Sequence, residues 1–215
     1  MNIKKHILIV CVLLSFIMAV PVSAAKEQTS LPISESAYYF KNGYTSKQIA
    51  YRKKVVKLAK NYLGIKEKSK QHKAIVTAYN KIKKNMYRNG RYQHFDVTTR
   101  MAWCDVFVSV MFQEAKLAKA IGVECGCEAH INLLKKMKCW IESDEYVPST
   151  GDLIFFDWQD KGKGNNKGWA DHVGIVVGVK NNIITTIEGN YDDTVKYRAI
   201  KVNGQYIRGF GVPKY

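Results

Sequence analysis

The apolar residues of this chain keep helical spacing through its first two thirds and sheet spacing through its last third. Ile49, Val56, Ala59 and Leu63 fall on one stripe. With Ser46 as a capping hydroxyl and Gly64 as a stop, they predict a helix over 46–63. Ile75, Tyr79, Ile82 and Met86 step by 4, 3 and 4 positions, which predicts a second helix over 71–85. Between 106 and 120, Phe107, Val108, Met111, Phe112, Ala115 and Ala118 cover most of a helix circumference. A helix apolar on nearly every side belongs in the middle of a domain. A shorter helix over 129–137 carries Ile131, Leu134 and Met137.

After Pro148 the period changes, and residues 152–158, 172–179, 183–188, 195–202 and 206–212 read as strands. Asn181-Asn182 fits a tight hairpin turn between the second and third of these. Asn203-Gly204 is a strong hairpin signal and predicts that the fourth and fifth pair with each other. The polar runs 88–100 and 159–168 read as loops. Helices first and an antiparallel sheet afterwards describe an α+β domain, and 215 residues are enough for one such core.

The first residues change the picture. Lys4, Lys5 and His6 precede an apolar run from 7 to 20, and Pro21-Val22-Ser23-Ala24-Ala25 follows with small residues. That order predicts a secretory signal peptide over 1–24, and a run this short is less than the ~20 residues a membrane span needs. Cys11 follows Val10 rather than a small residue, which argues against lipid attachment. The stretch 25–45 has no apolar period and reads as a tether, leaving 46–215 as the folded domain. The expected product is exported, wall-associated and without a stable membrane span.

The formal net charge is +16. Between 41 and 100 there are seventeen Lys and Arg against only Glu67 and Asp96, a balance of +15, with ten of the basic residues on the first two predicted helices. A basic face on an exported protein points to an anionic polymer or surface, or to a plain solvated helix face. No nucleic-acid-binding motif accompanies the charge, so no specific nucleic acid is expected. Cys104, Cys125, Cys127 and Cys139 remain after export. Cys125-Gly126-Cys127 with His130 and Cys139 has zinc-ligand residue types at a spacing that zinc sites do not use. A 125–139 or 127–139 disulfide and plain buried thiols both stay open, and no metal or cofactor is expected.

Cys104 stands where the polar loop meets the central helix, a place where free N–H groups and the helix dipole favour a thiolate. A buried core cysteine is the competing reading. A nucleophilic cysteine needs a base and a group to orient it. Of the histidines at 72, 94, 130 and 172, only His172 opens a strand directly after a polar loop. If the Asn181-Asn182 turn pairs the flanking strands, the end of the second lies beside the start of the first. Glu188 and Asn190, on one face by period 2, then both reach His172.

Five segments taken together resemble the CHAP domain family (cysteine, histidine-dependent amidohydrolase/peptidase), from about residue 50 to the end. They are Ala102-Trp103-Cys104, Pro148-Ser149-Thr150-Gly151-Asp152 with the four apolar residues after it, Asp171-His172-Val173-Gly174, Ile187-Glu188-Gly189-Asn190, and Gly209-Phe210-Gly211-Val212-Pro213. The resemblance implies a papain-like α+β fold that cleaves amide bonds in peptidoglycan, as an N-acetylmuramoyl-L-alanine amidase or an endopeptidase. It implies Cys104 as nucleophile, His172 as general base and acid, and Glu188 with Asn190 as orienting pair, with peptidoglycan as partner and anionic wall polymers on the lysine-rich helices. Trp103, Trp158 and Trp169 are candidates for a substrate groove, with core packing the competing role for the first two. Some members bind calcium in an acidic loop, but here Lys161, Lys163 and Lys167 lie among Asp157, Asp160 and Asp171 and discourage a cation. Asp105 departs from the small residue usual after the nucleophile, and its side chain is expected to point away from the site. Two other functions fit the residues: a cysteine peptidase or amidase acting on a non-wall protein, and a catalytically silent basic wall-binding module.

Overall fold

The cap of the first helix is Thr45, one residue before the expected Ser46. Thr45 is extended (φ −68°, ψ 157°) and accepts the Gln48 N–H, while the Gln48 side chain accepts the Thr45 N–H, a reciprocal capping box. Helix α1 then runs Ser46–Lys60 and buries Arg52, Val55, Val56 and Ala59, while Leu63 lies exposed beyond its end. Ser69 caps α2, Lys70–Asn80. This computed structural model describes residues 39–41, 43–160 and 166–215. The predicted signal segment, Cys11 and most of the predicted tether lie outside them. The described end of that tether is pinned down: Tyr39 and Lys41 hydrogen-bond to Thr150 and Ser149.

Helix α2 stops five residues before its expected end. Met86 lies instead in β1, Met86–Arg88, which pairs with β2, Arg91–Gln93, through Asn89-Gly90. Both turn residues have positive φ (52° and 79°), the requirement of a two-residue type I′ turn. A run read as loop therefore contains a small hairpin.

Helix α3, Cys104–Glu114, starts at the cysteine itself and buries every residue from 104 to 112. It ends where Lys116 turns left-handed (φ 62°), and a 3₁₀ turn at Ala118–Ala120 replaces the rest of the expected helix. Helix α4, Cys127–Lys136, starts two residues earlier than its apolar stripe implied, with Gly126 as an extended N-cap. Among the described residues no helix is long and apolar enough to cross a membrane.

The strands are β3 (Trp140–Ile141), β4 (Leu153–Phe156), β5 (His172–Lys180), β6 (Ile183–Tyr191), β7 (Thr194–Lys201) and β8 (Ile207–Gly211). They form one antiparallel sheet in the order β3-β8-β4-β5-β6-β7, so the chain is α+β. Asn181 and Asn182 make the expected β5–β6 hairpin with Lys180 opposite Ile183. The expected β7–β8 pair does not form, because β8 crosses the sheet and inserts between β3 and β4. Every residue of β8 is buried, and pairing on the outer side of β7 would leave that strand at an open edge. Alternation along β4 explains its continuous apolar run: Leu153 and Phe155 pack in the main core with α3, and Ile154 and Phe156 in a smaller core on the other face.

Candidate active site

Cys104 is the first residue of α3, and the residue before it, Trp103, makes no side-chain cap hydrogen bond. The N–H groups of that first turn therefore point out of the helix without a side-chain partner. Cys104 is buried, 3% exposed; its thiol hydrogen-bonds Cys127 at 3.7 Å and interacts electrostatically with the His172 ring. The hydrogen bond from Cys127 and the facing His172 ring outweigh burial and push the Cys104 thiol down to about 5, so it is a thiolate at neutral pH.

His172 opens β5 opposite Phe156 of β4. Its Nε2 bonds Glu188 Oε2 at 2.9 Å, which leaves Nδ1 for the thiol. Burial opposes charge on this ring, but the Cys104 thiolate and the Glu188 carboxylate prevail and raise it to about 9. Glu188 is itself fully buried and held by Thr186 Oγ1 and by Arg198 Nε, which reaches both carboxylate oxygens at 3.0 and 2.9 Å. Two glycines make room for this arrangement. A Cβ on Gly174 would lie 2.6 Å from Glu188 Cγ, and one on Gly189 would lie 2.5 Å from Phe107 Cβ, driving β6 off α3.

The structure thus brings Cys104, His172 and Glu188 together, and leaves Asn190 out of the hydrogen-bonded chain. Asn190 sits at a left-handed φ of 60° within a bulge between Glu188 and Tyr191. The bulge breaks the period-2 alternation on which a shared face depended. Trp103 is also corrected: at 1% exposed it packs against Phe107 and His72 and cannot line a groove. Trp158 is 38% exposed, stacked on Phe156 and 5.8 Å from the His172 ring, and Trp169 is 75% exposed. These two remain candidates for contact with a bound molecule.

Three participants were not assigned to this site from the sequence: Arg198, and Cys127 and His130, which were considered only for zinc or a disulfide. Arg198 comes from β7, where it pairs across from Thr186. The signal that locates it is the Asp192-Asp193 turn, both residues at positive φ, which folds β7 back along β6. Cys127 opens α4 and places its Sγ 3.7 Å from that of Cys104. His130 pairs with Asp105: Nδ1 to Oδ1 is 2.6 Å, Nε2 donates to the Ile121 carbonyl at 3.1 Å, and both side chains are fully buried. With acceptors at both nitrogens the ring carries two protons; burial opposes this, but Asp105 raises its pKa. The carboxylate beside the thiolate is therefore turned away and neutralised by a cation.

Cys104, Cys125, Cys127 and Cys139 are all free thiols, so neither disulfide considered for them is present. Among the described residues no group of three or more His, Cys, Asp or Glu side chains is arranged to hold a metal. Asp157 and Asp171 accept backbone N–H groups of Gln159 and Trp158. As a chemical unit, a buried thiolate, an imidazolium and a neutralised carboxylate at a helix N-terminus can attack a carbonyl carbon and return a proton to the leaving group.

The CHAP domain family model matches residues 96–190, a span that includes Cys104, His172, Glu188 and Asn190 and excludes Arg198. No curated protein and no solved structure matches the chain.

Proposed function

We propose that this chain, which carries a CHAP domain over residues 96–190, is an exported peptidoglycan hydrolase with Cys104 as its nucleophile. The domain implies a cysteine- and histidine-dependent amidohydrolase or peptidase. The observation that carries the reading is the buried chain Cys104–His172–Glu188, with the thiol ionised at the open end of α3. A cysteine opening a helix and a histidine and acid on later strands is a papain-like order. Cys104 attacks the amide carbonyl, and the helix-start N–H groups, that of Cys104 among them, hold the oxyanion. His172 gives its proton to the leaving amine, then takes one from the water that hydrolyses the thioester. Glu188, locked by Arg198 and Thr186, keeps the ring in its working orientation. The cleaved bond is the muramoyl–alanine amide or a peptide bond of the stem or cross-bridge, and Trp158 and Trp169 flank the bound strand.

Exposed Lys47, Lys57, Lys66, Lys70 and Lys73 on and beside α1 and α2 supply attachment to anionic wall polymer. Export through the segment 1–24 places the enzyme at the wall. The test is to incubate the purified protein and its Cys104→Ala variant with isolated cell wall and identify released fragments by mass spectrometry. New amino termini on stem peptides indicate an endopeptidase, and freed lactyl groups an amidase. Equal wall binding by both proteins with no released product would overturn the enzymatic reading in favour of a silent wall-binding module. Release from the wall by raised salt checks the lysine face, because exposed charge attraction is screened.

A further inference from the structure

The N-termini of α3 and α4 converge on a pair of sulfur atoms. Cys104 Sγ and Cys127 Sγ lie 3.7 Å apart, each on the first residue of its helix, and both thiols are free. A disulfide needs ~2.05 Å, so the sulfurs must close by about 1.7 Å. The other two thiols are occupied elsewhere: Cys139 points its Sγ at the Met137 carbonyl, and Cys125 lies beside the Tyr79 hydroxyl. Hydrolysis as described above uses Cys104, His172 and Glu188 and gives Cys127 no step of its own. Both residues are largely buried, at 3% and 7% exposed.

We propose that Cys127 is a resolving cysteine: hydrogen peroxide converts the Cys104–Cys127 pair to a disulfide that reversibly shuts off the site. In the first step the Cys104 thiolate attacks one peroxide oxygen and the O–O bond breaks. Cys104 becomes a sulfenic acid, and the departing hydroxide takes the His172 proton and leaves as water. In the second, Cys127 attacks the Cys104 sulfur and gives its proton to the departing hydroxyl. The S–OH bond breaks, and the hydroxyl leaves with that proton as a second water. Two thiols lose two electrons, and one peroxide is reduced to two waters. The same hydrogen bond explains the timing: Cys127 stays protonated while Cys104 is a thiolate, raised well above an ordinary thiol by the neighbouring negative sulfur. It is the weaker target until Cys104 has been oxidised. A resolving thiol at contact distance captures the sulfenic acid before further, irreversible oxidation, and dithiol reduction restores the nucleophile.

This inference rests on Cys104 being the reactive group of the site, and the experiment separates the two claims. Reduced protein is treated with hydrogen peroxide, digested under non-reducing conditions and mapped by mass spectrometry, while Cys104 alkylation by iodoacetamide and wall hydrolysis are followed in parallel. The expected result is a 104–127 cross-link, loss of two hydrogens per chain, and loss of alkylation and hydrolysis together, all reversed by dithiothreitol. Cys127→Ser should give no cross-link, a Cys104 sulfenic acid that dimedone traps, and progressive inactivation that dithiothreitol does not reverse. Cys125→Ser should cross-link as the unaltered protein does. Oxidation of Cys104 to sulfinic acid at the same rate with and without Cys127, or a cross-link to Cys125 or Cys139, would overturn the proposal. A reduced protein that alkylates and cross-links but releases nothing from walls would refute the hydrolase reading and leave the redox pair standing.

Discussion

Two buried histidine–carboxylate pairs meet adjacent residues of α3, one through Asp105 itself and one facing Cys104, and they differ in what meets the second ring nitrogen. His130 is bonded to Asp105 at 2.6 Å and spends its other nitrogen on the Ile121 carbonyl. Both of its protons have acceptors, and Asp105 favours the charged ring. His172 is bonded to Glu188 at 2.9 Å and turns its other nitrogen to the Cys104 thiol. That partner can give and take a proton. The carboxylates differ too. Glu188 is compensated by Arg198 and Thr186 independently of its histidine, whereas among the described residues Asp105 has only His130 as a salt-bridge partner, and its second oxygen is buried without a hydrogen bond there. A histidine beside a carboxylate is thus not in itself a catalytic sign; an exchangeable group on the far nitrogen is.

The largest expected effects come from removing each histidine in turn. His172→Ala should lower kcat on the order of 10⁶-fold, the scale of losing a triad base, with little change in the denaturation midpoint. His130→Ala should do the reverse, destabilising the fold by about 3–5 kcal/mol because it strands a buried carboxylate. Urea titration of both variants beside hydrolysis assays checks the contrast, and a large stability loss in His172→Ala would break it.

Next in size is Glu188→Gln, which keeps the shape and removes the charge. It should cost kcat about 10⁴-fold, as amide-for-carboxylate replacement does when it mis-sets the histidine. It should also move the alkaline limb of activity to lower pH, because the imidazolium loses a partner.

The pH profile comes third. Thiolate formation should raise kcat/KM as pH passes about 5, and loss of the His172 proton should lower it past about 9. These limits belong to the coupled pair rather than to either residue alone, and iodoacetamide alkylation should share the lower one. His130 acts on stability instead: its folded pKa is raised, so its contribution is complete below the unfolded value near 6.5 and declines as pH rises through the folded one.

The smallest effect is expected at Asn190. Asn190→Ala should leave kcat within about tenfold, the worth of at most one hydrogen bond. A loss as large as that of Glu188→Gln would restore it to the orienting role that its spacing had implied.

The paired Asn-Gly turns show where local reading stops. Asn89-Gly90 makes a two-residue hairpin; Asn203-Gly204 carries the same dipeptide between equally strand-like segments and joins strands that do not pair. At 89–90 both φ values are positive, and at 203–204 only that of Asn203 is. What differs is the fate of the following strand: β2 is mostly exposed, and β8 must be buried on both faces and both edges. His172 and Glu188 were legible because one tight turn, Asn181-Asn182, brings them together, and Cys104 because it opens a helix after a polar loop; that α3 lands beside β5 rested on the family resemblance. Arg198 and Cys127 were not, since their places depend on β7 folding along β6 and on where α4 lands.

What the amino-acid sequence determined by itself is therefore short in range: the first helix, the β5–β6 hairpin, the α+β order and the His172–Glu188 pair that the hairpin carries. Such features follow from turn conformations and apolar period within a few residues. The insertion of β8, the neutralisation of Asp105 and the meeting of Cys104 with Cys127 were decided only by tertiary packing. Each joins groups more than twenty residues apart, and each exists because burial leaves an edge, a charge or a thiol that some distant part of the chain must satisfy.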